Sequence, residues 1–133
     1  MTTIDTATIR AGEYPLTVRV REHQLTSDVS LALGGKDSAL DPHDLFDSAL
    51  ATCKAMTAMW YAKRHGIPLD RVESHVESDG SHERAGVYRL RVRVELFGPL
   101  TPEQHADVHR AIAACPIHKL MTTSDIQIET VAP

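Results

Sequence analysis

The stretch Asp41-Pro42-His43-Asp44-Leu45-Phe46-Asp47-Ser48-Ala49-Leu50-Ala51-Thr52-Cys53 opens the segment that decides the fold. Asp41 is a good N-cap, Pro42 suits a first helical position, and Asp44 favours the positive end of the helix dipole. Gly66 and Pro68 stop the element, with Lys63, Arg64 and His65 in its last turn. The signals predict one helix of some 23 residues, roughly 35 Å long at ~1.5 Å per residue. Its middle is apolar over most of its circumference, including Leu45, Leu50, Cys53, Met56, Met59, Trp60 and Tyr61. A helix of that kind has to be covered nearly all round. A 133-residue chain has little material for the task, so the pattern predicts a dimer that wraps the helix.

Short extended segments precede it. Thr6 to Arg10 and Leu16 to Arg21 alternate apolar and polar positions, and a third runs from about Gln24 to Leu33, stopped by Gly34-Gly35. After the helix, residues 72–78 and 88–96 read as a hairpin. Tyr88, Leu90, Val92, Val94 and Leu96 face a core, while Arg89, Arg91 and Arg93 face outward towards Glu73 and Glu77. Thr101-Pro102-Glu103-Gln104 is a capping box that starts a second helix. Pro116 breaks that helix after Cys115 and begins a fresh helical turn. Ile126 to Val131 alternates and predicts a closing strand. The expected order is βββ-α-ββ-α-β, an α+β fold of antiparallel sheets packed around a long central helix, in one domain spanning residues 1–133.

Composition narrows the function. The chain is 42% hydrophobic and 24% charged, with a net charge of −4, so an extended nucleic-acid surface is not expected. No run reaches the ~18 apolar residues of a membrane span, and the amino terminus lacks a signal-peptide pattern. Two cysteines do not make a disulfide framework; a reducing, cytoplasmic setting is expected.

The chemistry candidates are those two cysteines. Cys53 has Phe46, Leu50, Met56 and Trp60 within reach on the same side by helical spacing and, taken alone, reads as a packed small hydrophobe. Cys115 precedes Pro116 and can cap the turn that follows, where the helix dipole, His118 or Lys119 would lower its pKa. A zinc reading of Cys115, His118, His105 and His109 has some of the necessary spacing, but eight histidines in the chain make such coincidences common. No phosphate-binding glycine loop, nucleophile elbow or cofactor motif is present.

Taken together, several segments resemble the OsmC/Ohr family of osmotically inducible and organic-hydroperoxide-resistance proteins. They are Asp41 to Thr57, Tyr61 to Leu69, Phe97 to Gln104 and Ala114-Cys115-Pro116-Ile117-His118-Lys119-Leu120, with His23, Asp28 and Gly34-Gly35 upstream. The resemblance implies an intertwined homodimer and a thiol-dependent peroxidase acting on organic hydroperoxides. Cys53 would become a sulfenic acid and condense with Cys115 to a disulfide, and a dithiol reductant, lipoylated or thioredoxin-like, would restore both thiols. Where such peroxidases carry a glutamate ten residues before the reactive cysteine, this chain has His43, with Asp44 beside it. Where one branch supplies an arginine, it reads Ser30-Leu31-Ala32-Leu33; Arg10, Arg19 and Arg21 are the alternatives. His43, Asp44 and His118 are therefore candidate activating or pocket residues. The other reading is a protein of the same fold that binds an apolar small ligand in a dimer-interface pocket without peroxidase activity.

Overall fold

Asp41 and Asp44 cap the start of the long helix reciprocally: each backbone amide donates to the other's carboxylate, at 3.0 and 2.7 Å. The helix, α1, runs Pro42–Arg64 as expected. The computed structural model describes residues 1–133. It is an α+β protein with two antiparallel sheets and three helices. The chain forms two compact units, Met1–Phe46 and Asp47–Pro133.

In the first unit, β1 (Ile4–Thr8), β2 (Leu16–Val20) and β3 (His23–Ser27) form a meander of order β1-β2-β3. The third strand is shorter than expected. Its extension gives way at Asp28 to a loop containing a 3-10 turn at Leu31–Leu33. Asp28 causes the departure. Its carboxylate, only 2% exposed, accepts from the amides of Val29, Lys36 and Ser38 at 2.7, 3.2 and 3.1 Å and from the Ser38 hydroxyl at 2.7 Å. These donors hold its pKa down at about 2, the Ser38 hydroxyl contributing most. Gly35 is required at the closure, because a Cβ there would stand 2.2 Å from the Val29 carbonyl oxygen.

In the second unit, β4 (Arg71–Asp79) and β5 (Arg89–Phe97) pair as the expected hairpin, with Val76 opposite Val92 and Glu77 opposite Arg91. Arg71 takes Glu73 at 3.1 Å and Arg93 takes Glu95, so the charged face is a set of exposed ion pairs. Helix α2 (Pro102–Ile112) starts at the Thr101–Gln104 capping box. Its Val108 and Ile112 pack with Ala58 and Ala62 of α1 and with Ile67 and Leu69, against Val72 of β4 and Val94 and Leu96 of β5. The Ser74 hydroxyl ties the hairpin to α1 through the Ala51 carbonyl, at 2.8 Å.

Helix α3 (Pro116–Thr123) is a two-turn helix rather than a single turn. The expected strand at residues 126–131 is not formed, so the order closes on α3. The alternation is real, but a strand needs an edge to pair with. None in this chain takes it, and Ile126, Ile128 and Val131 are 58%, 84% and 73% exposed. No helix is long and apolar enough to cross a membrane.

Candidate functional site

Helix α1 carries two stripes by its own periodicity. Leu50, Lys54, Ala58 and Ala62, four residues apart, are its buried line. On roughly the opposite side, Ala49, Thr52, Cys53, Met56, Thr57 and Trp60 line an open cavity of about 600 Å³, flanked by Pro116 and Ile117 from the first turn of α3. The wall is hydrocarbon, sulfur and two threonines. Thr52 spends its hydroxyl on the Ser48 and Ala49 carbonyls, and the Thr57 hydroxyl stands 4.0 Å from the Cys53 sulfur. Met56 and Trp60 are 70% and 58% exposed at the rim. This second stripe accounts for the excess of apolar residues on α1.

Both cysteines are free thiols, and their side chains interact. Cys53 is half-buried in the cavity wall, while Cys115 is buried at 1% exposure. Cys115 takes the N-cap position of α3 with an extended backbone (φ −63°, ψ 159°), the geometry that a residue before proline prefers. Its sulfur makes no capping hydrogen bond. Instead the Ile117 amide, in the first turn of α3, donates to the Cys53 sulfur at 3.5 Å. The expectation that the helix terminus lowers the Cys115 pKa is therefore corrected: burial pushes this thiol up, and the adjacent Cys53 side chain pushes in the same direction. The His118 amide and the Lys54 charge oppose the rise only in part.

The remaining candidates are placed as follows. His118 lies on α3, with its Nδ1 3.0 Å from the Lys54 ammonium. Asp44 is occupied in the α1 cap, and His43 sits beside it in the first turn. Arg10 is held by Glu13 at 3.0 Å and Arg19 by Gln24 at 3.1 Å, while Arg21 takes the left-handed turn between β2 and β3 at φ +54°. The histidine and cysteine set read as a zinc site is not gathered. His105 and His109 pair with each other, ring centroids 4.8 Å apart. The residues that do converge at ligand distance are Glu73, His75 and Glu95 on the hairpin, and both carboxylates already have arginine partners.

Lys54 escaped the sequence reading. A lysine directly after Cys53 on a helix suggests a solvated side chain, yet Lys54 is only 6% exposed. Its ammonium donates to the Ile112 carbonyl at 2.8 Å and the Ala113 carbonyl at 3.3 Å, where α2 ends. The usable signal was its spacing from Leu50 and Ala58 on the buried line.

The model of the OsmC-like protein family matches residues 35–131. No curated protein sequence matches the chain. Among solved structures, an osmotic stress induced and detoxification response protein from Psychrobacter arcticus 273-4 is 18% identical. That likeness covers 92% of this chain and 90% of the other, at a TM-score of 0.76. An OsmC-like protein from Mycoplasma pneumoniae is 19% identical over 92% and 88% of the two chains, at 0.73. The organic hydroperoxide resistance protein OsmC from Legionella pneumophila is 22% identical over 92% and 90%, at 0.64. The family match covers most of the chain and the shared fold runs nearly its full length, so the chain belongs to the OsmC-like protein family.

Proposed function

We propose that the protein is a thiol-dependent peroxidase that reduces organic hydroperoxides, working as a homodimer in a reducing, cytoplasmic setting. The observation that carries the reading is Cys53 itself. It opens onto an apolar cavity, a backbone amide is aimed at its sulfur, and a second, buried thiol stands beside it. The Cys53 thiolate attacks the distal oxygen of the hydroperoxide. The O–O bond breaks, the alcohol leaves after taking a proton, and Cys53 is left as a sulfenic acid. The Ile117 amide gives the sulfur anion a fixed donor, a role that charge-assisted hydrogen bonds fill well. The Cys115 thiolate then attacks the Cys53 sulfur, hydroxide leaves and is protonated, and the disulfide forms. A dithiol reductant of lipoylated or thioredoxin-like type returns both thiols.

The cavity selects the substrate class by desolvation. An alkyl or aryl group gains from burial against Ala49, Met56, Trp60 and Ile117, whereas hydrogen peroxide has no apolar part to bury. The exposed Met56 and Trp60 at the rim, with Ile126, Ile128 and Val131 unpaired, support a second copy of the chain as the cover.

One observation favours the alternative, an apolar-ligand binder: no charged side chain lines the cavity. Consumption of cumene hydroperoxide by the reduced protein, with a dithiol donor and Cys53→Ser as control, separates the two. Turnover that depends on Cys53 supports the peroxidase. Its absence from a reduced, folded dimer transfers the reading to ligand binding.

A further inference from the structure

Lys54 has a place that a surface lysine would not take. It adjoins Cys53 in sequence, but its side chain leaves on the buried line of α1 and ends at the corner where α2 stops and α3 begins. The Lys54 ammonium donates to the Ile112 carbonyl at 2.8 Å and the Ala113 carbonyl at 3.3 Å, and it stands 3.0 Å from His118 Nδ1. The first two are terminal carbonyls of α2, where a cation complements the dipole. The third contact joins Lys54 to His118 in the first turn of α3. The three contacts lie in sequence on either side of Cys115. Lys54 therefore grips both flanks of the break that presents the Cys115 sulfur to Cys53.

We propose that Lys54 is a positioning residue for disulfide closure, which sets the Cys115 corner against Cys53 and supplies the positive charge that favours the Cys115 thiolate as the attacking group. The inference rests on the peroxidase reading for its place in turnover, although the closure itself requires only the two thiols. A counter-charge is needed here because Cys115 is 1% exposed, and burial opposes the thiolate. The titratable side chains that act on it are Cys53 and Lys54, both from α1, and of these Lys54 brings the positive charge; from α3 the backbone amide of His118 also favours the thiolate.

The test uses 4,4′-dithiodipyridine, a neutral disulfide oxidant, so that closure is read without peroxide. One thiolate, Cys53 at the cavity wall, attacks the reagent and releases one thiopyridone. Cys115 then attacks the Cys53 sulfur of the mixed disulfide and releases the second. Lys54→Met keeps the chain length and removes the charge; Lys54→Gln removes the charge and keeps a donor for the α2 carbonyls; Lys54→Arg keeps the charge. The expected result is a second phase slowed roughly tenfold or more in the Met and Gln variants, as for a misplaced reacting group. Its pH profile should move to higher pH, while the first phase changes little. The Arg variant should keep the wild-type pH profile. Circular dichroism identifies the folded variants, and Gln serves if Met does not fold.

Wild-type rate and profile in the folded Met or Gln variant would overturn the proposal. So would equal slowing in all three with an unmoved profile, which assigns Lys54 to packing alone. A wild-type protein that never releases the second thiopyridone overturns it as well. A wild-type protein that closes normally yet consumes no hydroperoxide removes the peroxidase reading and leaves the assignment of Lys54 in place.

Discussion

The amide of Ile117 donates to the sulfur of Cys53 at 3.5 Å across 64 residues of sequence, which ties the amino terminus of α3 to the central helix. The two thiols consequently differ. One is half-buried at a cavity with a backbone donor, and the other is sealed in with its pKa raised. Under the proposed function, that asymmetry divides the labour, with Cys53 meeting the substrate and Cys115 meeting only Cys53.

The division predicts different outcomes for the two serine variants. Cys53→Ser should remove hydroperoxide consumption altogether. Cys115→Ser should still consume one equivalent per protomer and leave a sulfenic acid on Cys53 that a dimedone probe labels. Mass spectrometry after a single addition of cumene hydroperoxide reads both. Equal loss of the first equivalent in the two variants would contradict the division.

The cavity wall predicts specificity. Ala49→Phe projects a ring into a space of about 600 Å³. Consumption of cumene hydroperoxide should fall by about tenfold or more, as expected when close packing excludes the substrate. Hydrogen peroxide consumption should change little. Parallel kcat/KM measurements with the two peroxides check this, and equal losses would argue for a folding defect.

Core packing sets a stability expectation. Ala58 is fully buried where α1 meets α2. Ala58→Leu inserts carbon into a filled space and should destabilise by about 1–3 kcal/mol. Urea unfolding with an unchanged m-value measures it.

Asp28 sets an acid limit. Its folded-state pKa of about 2 lies below the ordinary 3.8, so the native state holds the anion more tightly than the unfolded chain. The stabilisation is complete above the unfolded value and fades as pH falls from 3.8 towards about 2. Asp28→Asn should lower the melting temperature at neutral pH and flatten its dependence on pH across that window. A melting series from pH 2 to 6 decides it; parallel curves for the two proteins would remove Asp28 from the account.

The ends of α1, the Thr101 capping box, the hairpin and the turn after Pro116 were all legible in the sequence. Each is a local event: an N-cap, a proline and a glycine act on their own neighbours, and alternation shows within a single strand. The candidate cysteines were legible too, because a cysteine-proline break and a mid-helix cysteine are unusual together.

What the sequence by itself determined was therefore the central helix, the hairpin, the start of the second helix and the chemical groups they carry. Three facts were left to the tertiary structure. The amide of α3 went to Cys53 because two segments 64 residues apart met through space. Lys54 turned inward because the end of α2 offered carbonyls that only a buried donor could satisfy. Residues 126–131 stayed unpaired despite their strand pattern, because pairing depends on whether an edge is on offer, and alternation along one segment carries no information about its neighbours.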